Sequence, residues 1–168
     1  YTLNNNLAYG TTYNWQVVAK NGNCYTAAGP VQKFTLRTLP NLKTSGIQCD
    51  STAISGSIYE IGWQVSNIGT GSTGNQPWTD AIYLSADNLP EVSVNDIYLG
   101  GTANFSSLNN NSSYANSLQL QLPTTSSGNF YIKIFPDAYN QLIETSKTDN
   151  IGFRKIVINN PPLADVKV

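Results

Sequence analysis

Two pairs of acidic side chains stand out in this chain for chemistry that their type and spacing would allow. Asp87 and Asp96 flank one loop between predicted strands, and Asp137 and Glu144 lie in another. Calcium takes roughly six to eight oxygen ligands, often from loop carboxylates. Each pair is therefore a candidate structural calcium site, although neither spacing matches the EF-hand pattern. The same residues also suit turns in which acidic side chains bond their own backbone, and the sequence leaves both interpretations open.

Paired carboxylates are also the catalytic groups of glycosidases. That mechanism needs two carboxyl groups held either about 5 Å or about 6.5–9.5 Å apart across a cleft. The sequence does not give this distance, and ordinary surface acids are the commoner origin of such residues. The chain has no His, which removes the commonest general base and every Ser-His-Asp or Cys-His arrangement. With no nucleophile motif and no cofactor loop either, we expect no catalytic residues and no enzyme.

Aromatic side chains are the second kind of candidate site, because flat rings stack on sugars. Trp78 lies at a predicted strand start, and Tyr83 and Tyr131 fall on strand faces opposite isoleucines. These three are the candidate ligand-binding residues. A two-sided sandwich also buries such rings, so a core position or neutral surface stays open for them. Trp15 and Trp63 lie on the apolar faces of their strands and are predicted core residues.

The charge pattern argues against two classes of partner. Charged residues make up 11% of the chain, against roughly 25% in an average soluble domain. There are 9 basic and 10 acidic side chains and no basic cluster, so nucleic-acid binding is not expected. No apolar run is long enough to span a bilayer. The sequence is polar and nearly neutral, and it contains neither Met nor a signal peptide. We therefore expect this chain to be a piece of a longer secreted protein.

Short strands must position these side chains, because apolar and polar residues alternate through most of the chain. Ile61, Trp63 and Val65, for example, alternate with polar or small neighbours, as a half-buried strand requires. We predict strands near residues 12–20, 31–38, 41–48, 57–67, 79–86, 96–102, 114–122, 129–136 and 151–158. The predicted fold class is therefore all-β. About seven strands fall in residues 40–160, enough for an immunoglobulin-like β-sandwich.

Proline-containing segments divide the chain into three predicted parts. Pro40 stops one strand ladder, and Pro161-Pro162 follow another. We predict an incomplete module over residues 1–39, a complete sandwich over 40–160, and a linker with the start of a following module over 161–168. Residues 1–39 hold only two or three strands, and an isolated hairpin is marginal in water. We therefore expect this part to need a partner sheet or another chain.

The run Leu7-Ala8-Tyr9-Gly10-Thr11-Thr12-Tyr13 leads into an alternating strand through Trp15 and Val17. In this pattern residues 3–38 resemble the C-terminal half of a fibronectin type III domain. The resemblance implies that Tyr13 packs as a tyrosine corner. It also implies that Cys24 and Cys49 lie two strand lengths apart, roughly 25–30 Å each, against the roughly 6 Å that a disulfide allows. We therefore expect no bridge between them.

Three further motifs follow one another along residues 40–160. They are Val65-Ser66-Asn67-Ile68-Gly69, the run from Trp78-Thr79-Asp80 to Tyr83-Leu84-Ser85-Ala86-Asp87, and the later set Asp137, Asn140 and Glu144. In this order and spacing the segment resembles the CARDB family, the cell-adhesion-related domain found in bacteria. The resemblance implies a seven-stranded immunoglobulin-like sandwich in a secreted or surface protein.

These observations together predict a non-catalytic adhesion or spacer module of a large bacterial protein that is extracellular or at the cell surface. The alternative is a carbohydrate-binding accessory module of a secreted polysaccharide-degrading enzyme, which an aligned, exposed set of aromatic rings would favour. No cofactor is expected apart from the candidate structural calcium. The expected partners are neighbouring modules of the same chain, with glycans or surface proteins as candidate ligands.

Overall fold

A computed structural model describes residues 6–22 and 24–162, except for the side chains of residues 24–26. The predicted start of a following module, residues 163–168, lies outside the described residues. Every regular element of the described part is a β-strand, so it contains no helix capable of crossing a membrane. The strands are β1 Thr12–Trp15, β2 Val18–Asn21, β3 Cys24–Ala28, β4 Gln32–Thr35, β5 Leu42–Gln48, β6 Thr52–Ile54, β7 Ile58–Asn67, β8 Trp78–Ser85, β9 Ile97–Asn104, β10 Ser113–Gln121, β11 Gly128–Phe135 and β12 Gly152–Asn159.

Strands β5 to β12 form a sandwich of two sheets. The three-stranded sheet has the order β10-β7-β5, and the five-stranded sheet has the order β6-β12-β11-β8-β9. All neighbours are antiparallel except β6 and β12. The prediction of an all-β sandwich is confirmed, with β6 added to the predicted strands.

The core lies between the two sheets and follows the alternation in the sequence. Ile61, Trp63 and Val65 of β7 are buried at 2% exposure or less, as the sequence predicts. They face the apolar side chains of the five-stranded sheet. The fully buried ones among these are Ile82, Leu84, Ile132, Ile134, Ile156 and Ile158. Every second residue of each strand points away from this layer, which decides where candidate sites can form.

Strands β1 to β4 form a hairpin outside the sandwich, with β1 paired to β4 and β2 to β3. Trp15, a predicted core residue, is 50% exposed. That prediction is wrong for this chain, because the described residues place no second sheet against the hairpin. Tyr13 stacks on Phe34, and its hydroxyl accepts a hydrogen bond from the backbone N of Ala8 at 2.7 Å. This is the contact expected of a tyrosine corner, while the relation to fibronectin type III domains stays a prediction.

Candidate functional site

The side chain of Asn67 ties together three segments at one end of the sandwich. Its Oδ1 accepts hydrogen bonds from the backbone N of Asn41 at 3.0 Å and of Gly69 at 3.1 Å. Its Nδ2 donates to the carbonyl oxygens of Gly71 at 2.7 Å and Leu108 at 3.1 Å. The amide is fully buried and all four of these bonding positions are used. We call this arrangement the Asn67 clamp.

The clamp fixes the linker that leads from the hairpin into β5. Leu39 and Asn41 are only 3% and 8% exposed, although they lie between elements. The backbone N of Gly71 donates to the carbonyl of Leu39 at 2.8 Å. A Cβ on Gly71 would overlap the carbonyl of Thr38, and one on Gly69 would overlap the backbone N of Asn41. The chain therefore enters the sandwich along one closely packed path.

Asp137 and Glu144, one predicted calcium pair, lie together beside this linker. The Asp137 carboxylate accepts hydrogen bonds from the backbone N of Gln141 at 2.6 Å and Leu142 at 3.1 Å. It also accepts one from the Nζ of Lys147. Both carboxylates are fully buried as side chains, whereas Lys147 is 31% exposed. The pair therefore organises its own loop, with an ammonium group between the two acids.

Glu144 connects that loop to the sandwich. Its carboxylate accepts hydrogen bonds from the backbone N of Leu42 at 2.6 Å, from the Nζ of Lys147 at 3.1 Å and from the Nδ2 of Asn150 at 3.1 Å. Burial raises the pKa of Glu144, and these three donors act in the opposite direction. The backbone bond to Leu42 places the carboxylate at the first residue of β5. Glu144 therefore stabilises the same strand entry as the Asn67 clamp.

The second predicted pair, Asp87 and Asp96, is also brought together, again by a lysine. Lys133 of β11 points to the outer face of the five-stranded sheet, and the β8–β9 loop covers it completely. Its Nζ lies 2.9 Å from Asp87, 3.2 Å from Asp96 and 2.9 Å from the carbonyl oxygen of Glu91. The hydrogen bond from Lys133 lowers the pKa of Asp87. Burial acts to raise the pKa of Asp96, but hydrogen bonds from Ser85, Ser93 and Lys133 outweigh it and lower the pKa.

An ammonium group thus stands where a calcium ion would have to bind in each pair. The described residues contain no group of three or more Cys, Asp or Glu side chains arranged to hold a metal ion. Calcium would have to displace Lys133 at Asp87 and Asp96, or Lys147 at Asp137 and Glu144. The residues as arranged do not fit the ion, and calcium binding stays a prediction.

Asp80 and Trp78 join the two sheets through the core. Asp80 is fully buried, and its Oδ2 accepts hydrogen bonds from the Nε1 of Trp63 at 2.8 Å and the hydroxyl of Tyr114 at 2.5 Å. Burial raises the pKa of Asp80. Trp78, a predicted ligand-binding residue, is 0% exposed and its Nε1 donates to the same Tyr114 hydroxyl at 3.3 Å. A ring enclosed in the core cannot stack on a ligand, so Trp78 is a packing residue.

Tyr83 and Tyr131 lie on the outer face of the five-stranded sheet, as predicted from their strand positions, and both are half-buried. Tyr83 packs edge-on against Tyr98, with ring centroids 5.5 Å apart, and the side chain of Tyr139 lies near the Tyr98 hydroxyl. Tyr98 is 52% and Tyr139 59% exposed. We call these three the tyrosine patch. Tyr131 is paired instead with Phe153 at 6.1 Å.

Sequence reasoning missed the partners Lys133, Lys147, Tyr98 and Tyr139. The alternation of β11 does place Lys133 on the outer face, which is the one signal that the sequence offers for it. The sequence offers a comparable signal for Tyr98, because this residue lies in the predicted strand 96–102, two residues after the candidate ligand Asp96. Neither signal shows which loop folds over which face.

Comparison with solved structures finds the CARDB domain of the PF1109 protein from Pyrococcus furiosus. Its crystal structure, in complex with di-metal ions, has 15% sequence identity and a TM-score of 0.52, covering 71% of this chain and 94% of that one. A solution NMR structure of the same domain gives 15% identity and 0.52, covering 71% and 95%. At this identity the likeness shows the fold alone.

A β-glucosidase from Erythrobacter marinus also matches, at 11% identity and a TM-score of 0.47, over 71% of this chain and 16% of that one. A score this low carries no argument about function. No curated protein matches the chain. The CARDB family model matches residues 39–152, which span more than half of the sequence and contain the Asn67 clamp and both lysine-bridged pairs. The chain belongs to the CARDB family.

Proposed function

We propose that this chain is a non-catalytic spacer and adhesion module of a large secreted or surface bacterial protein, acting outside the cell. The buried linker is the observation that carries the proposal. Flexible linkers are exposed and tolerate several conformations. Here Leu39 and Asn41 are buried, and the backbone of Asn41 is bonded to the Asn67 clamp. The linker therefore holds the preceding segment in one orientation relative to the sandwich. The partners in this role are the neighbouring modules of the same chain.

The bonding of the motif acids supports a non-catalytic role. Asp80, Asp137 and Glu144 all accept hydrogen bonds from groups within the sandwich or its loops. A general acid or base has to reach a substrate proton directly or through one water. These three side chains are 0% exposed. These carboxylates therefore join segments of the module through hydrogen bonds and stabilise its fold.

Replacing Gly71 with Ala tests the fixed linker. The added Cβ would overlap the carbonyl of Thr38, so the linker has to leave its path. Residual dipolar couplings measure the orientation of residues 12–35 relative to residues 42–159. We expect one shared alignment tensor for the unmodified chain and two different tensors for Gly71→Ala.

The matched control is Gly46→Ala, because a Cβ at Gly46 meets nothing within 4 Å. This variant should retain the shared tensor. Two separate tensors in the unmodified chain would show that the linker is flexible, and the spacer proposal would fail.

A carbohydrate-binding accessory module is the second candidate, and the tyrosine patch is the observation that favours it. Tyr98 of β9 and Tyr139 of the β11–β12 loop are both exposed and lie near each other, and exposed rings suit stacking on sugar rings. A glycan array tests this function. If a glycan binds here, Tyr98→Ala should weaken binding by at least about tenfold, whereas Phe105→Ala, at an 80% exposed ring outside the patch, should not. Equal binding by the unmodified chain and Tyr98→Ala would exclude the patch.

A further inference from the structure

A trough of about 950 Å³ crosses the outer face of the three-stranded sheet, on the other side of the sandwich from the tyrosine patch. Small residues on three adjacent strands line it: Gly46 of β5, Gly62 of β7, and Ala115 and Ser117 of β10. Ligand pockets typically measure roughly 300–1,000 Å³, so the trough has the size of a binding site.

Packing does not explain the glycine at position 62. A glycine inside a strand weakens the strand, and it usually marks a bulge, a bend or the close approach of a ligand or another backbone. The register shift between β5 and β7 next to Gly46 accounts for a glycine at position 46. Gly62 lies in a regular ladder with β10, and a Cβ there would meet only ordinary contacts at 3.7–3.8 Å. The absence of a side chain at Gly62 leaves the space above the sheet open at this position.

The walls of the trough carry side-chain amides and carboxylates. Gln48 and Gln64 supply amides, and Asp50 and Glu60 supply carboxylates. The Nε2 of Gln64 donates a hydrogen bond to the Oγ of Ser113 at 3.1 Å. The side chains of Gln48 and Glu60 have no hydrogen-bond partner among the described residues. No Lys or Arg from the described residues lines the trough. The lining thus offers hydrogen-bond donors and acceptors, among them two carboxylates.

We infer that this trough binds a neutral oligosaccharide. Neighbouring sugar hydroxyls both donate and accept, which matches amides and carboxylates set side by side. The carboxylates of Asp50 and Glu60 repel phosphate, sulfate and uronic acid groups. An extended peptide laid over the middle of this face is a poorer occupant, because the central strand β7 is already hydrogen-bonded on both sides and offers no free ladder there. The inference goes beyond the spacer function and uses no residue of the tyrosine patch.

Filling the trough tests the inference. Gly46→Phe adds a ring where a Cβ meets no protein atom within 4 Å, and Ala103→Phe adds the same ring at an exposed position of β9. On an array of neutral, amino and acidic oligosaccharides, the unmodified chain should bind a neutral one. Gly46→Phe should weaken that binding at least about tenfold, while Ala103→Phe should leave it unchanged.

Glu60→Ala gives a second measurement that does not depend on the tolerance of β5 for a large ring. Its side chain is exposed and unpartnered, so the fold is retained, and binding should again fall by at least about tenfold. Failure to bind any neutral oligosaccharide, a preference for acidic ones, or binding that survives both trough variants would overturn the inference. Loss of binding in Tyr98→Ala alone would assign the glycan to the tyrosine patch instead. The dipolar couplings that test the linker are independent of all these outcomes.

Discussion

Replacing Asn67 with Ala should lower the free energy of unfolding by about 4 kcal/mol, near the upper end for a single substitution. The variant leaves two backbone N–H groups and two carbonyl oxygens without the partner that Asn67 provides. Each unsatisfied buried group costs about 1–3 kcal/mol, and water entry keeps the total below the sum. Urea denaturation followed by tryptophan fluorescence measures the loss, because Trp63 and Trp78 lie in the core.

Asn109→Ala is the matched control for the clamp. Asn109 is exposed, and only its backbone carbonyl is hydrogen-bonded, to the N of Ser112. Its replacement should change the free energy of unfolding by no more than about 0.5 kcal/mol. A loss below about 1 kcal/mol in Asn67→Ala would mean that the clamp does not hold the linker. The spacer proposal would then lose its structural basis.

Alternation in the sequence predicts the long strands because burial between two sheets imposes period two. Ile61, Trp63 and Val65 are buried for this reason, and β7 begins within one residue of the prediction. β6 escapes prediction because Thr52–Ile54 is too short to show a period and pairs only with β12. Alternation also cannot say whether a strand has a second sheet over its apolar face. That is why Trp15 is exposed although its strand has the same pattern as β7.

The same physical reason decides which contacts of the candidate site the sequence predicts and which it does not. The sequence brings Asp87 near Asp96, and Asp137 near Glu144, because each pair lies in one loop. It does not reveal Lys133, whose burial depends on the β8–β9 loop folding over β11, a contact between distant segments. A single Lys in an alternating strand is normally a surface residue. The burial of Trp78 escapes prediction for a similar reason, since its position at a strand start does not show that it packs in the core beside Asp80 and Tyr114.

Lys133→Met should lower the free energy of unfolding by about 3 kcal/mol, because breaking a buried ion pair from one side leaves a charge without compensation. The side chain of Asp96 is 1% exposed, so water cannot replace the ammonium. Met matches the length of the Lys stem and keeps the packing on the sheet. The control is Lys155→Met, at an exposed position of β12, which should be nearly neutral. A neutral result for Lys133→Met would show that the β8–β9 loop does not depend on this ion pair.

The same variant decides whether Asp87 and Asp96 can hold calcium. Without the ammonium, both carboxylates and the carbonyl of Glu91 face one vacated position, and hard oxygen ligands of this kind suit calcium. We expect added calcium to raise the unfolding temperature of Lys133→Met and to leave the unmodified chain unchanged, since a ligand stabilises only the state that binds it. Equal stabilisation of both chains would place the ion away from Lys133. If calcium stabilises neither the unmodified chain nor Lys133→Met, Asp87 and Asp96 do not bind calcium. The ammonium group of Lys133 is then the cation that neutralises this acidic pair and holds the β8–β9 loop in place.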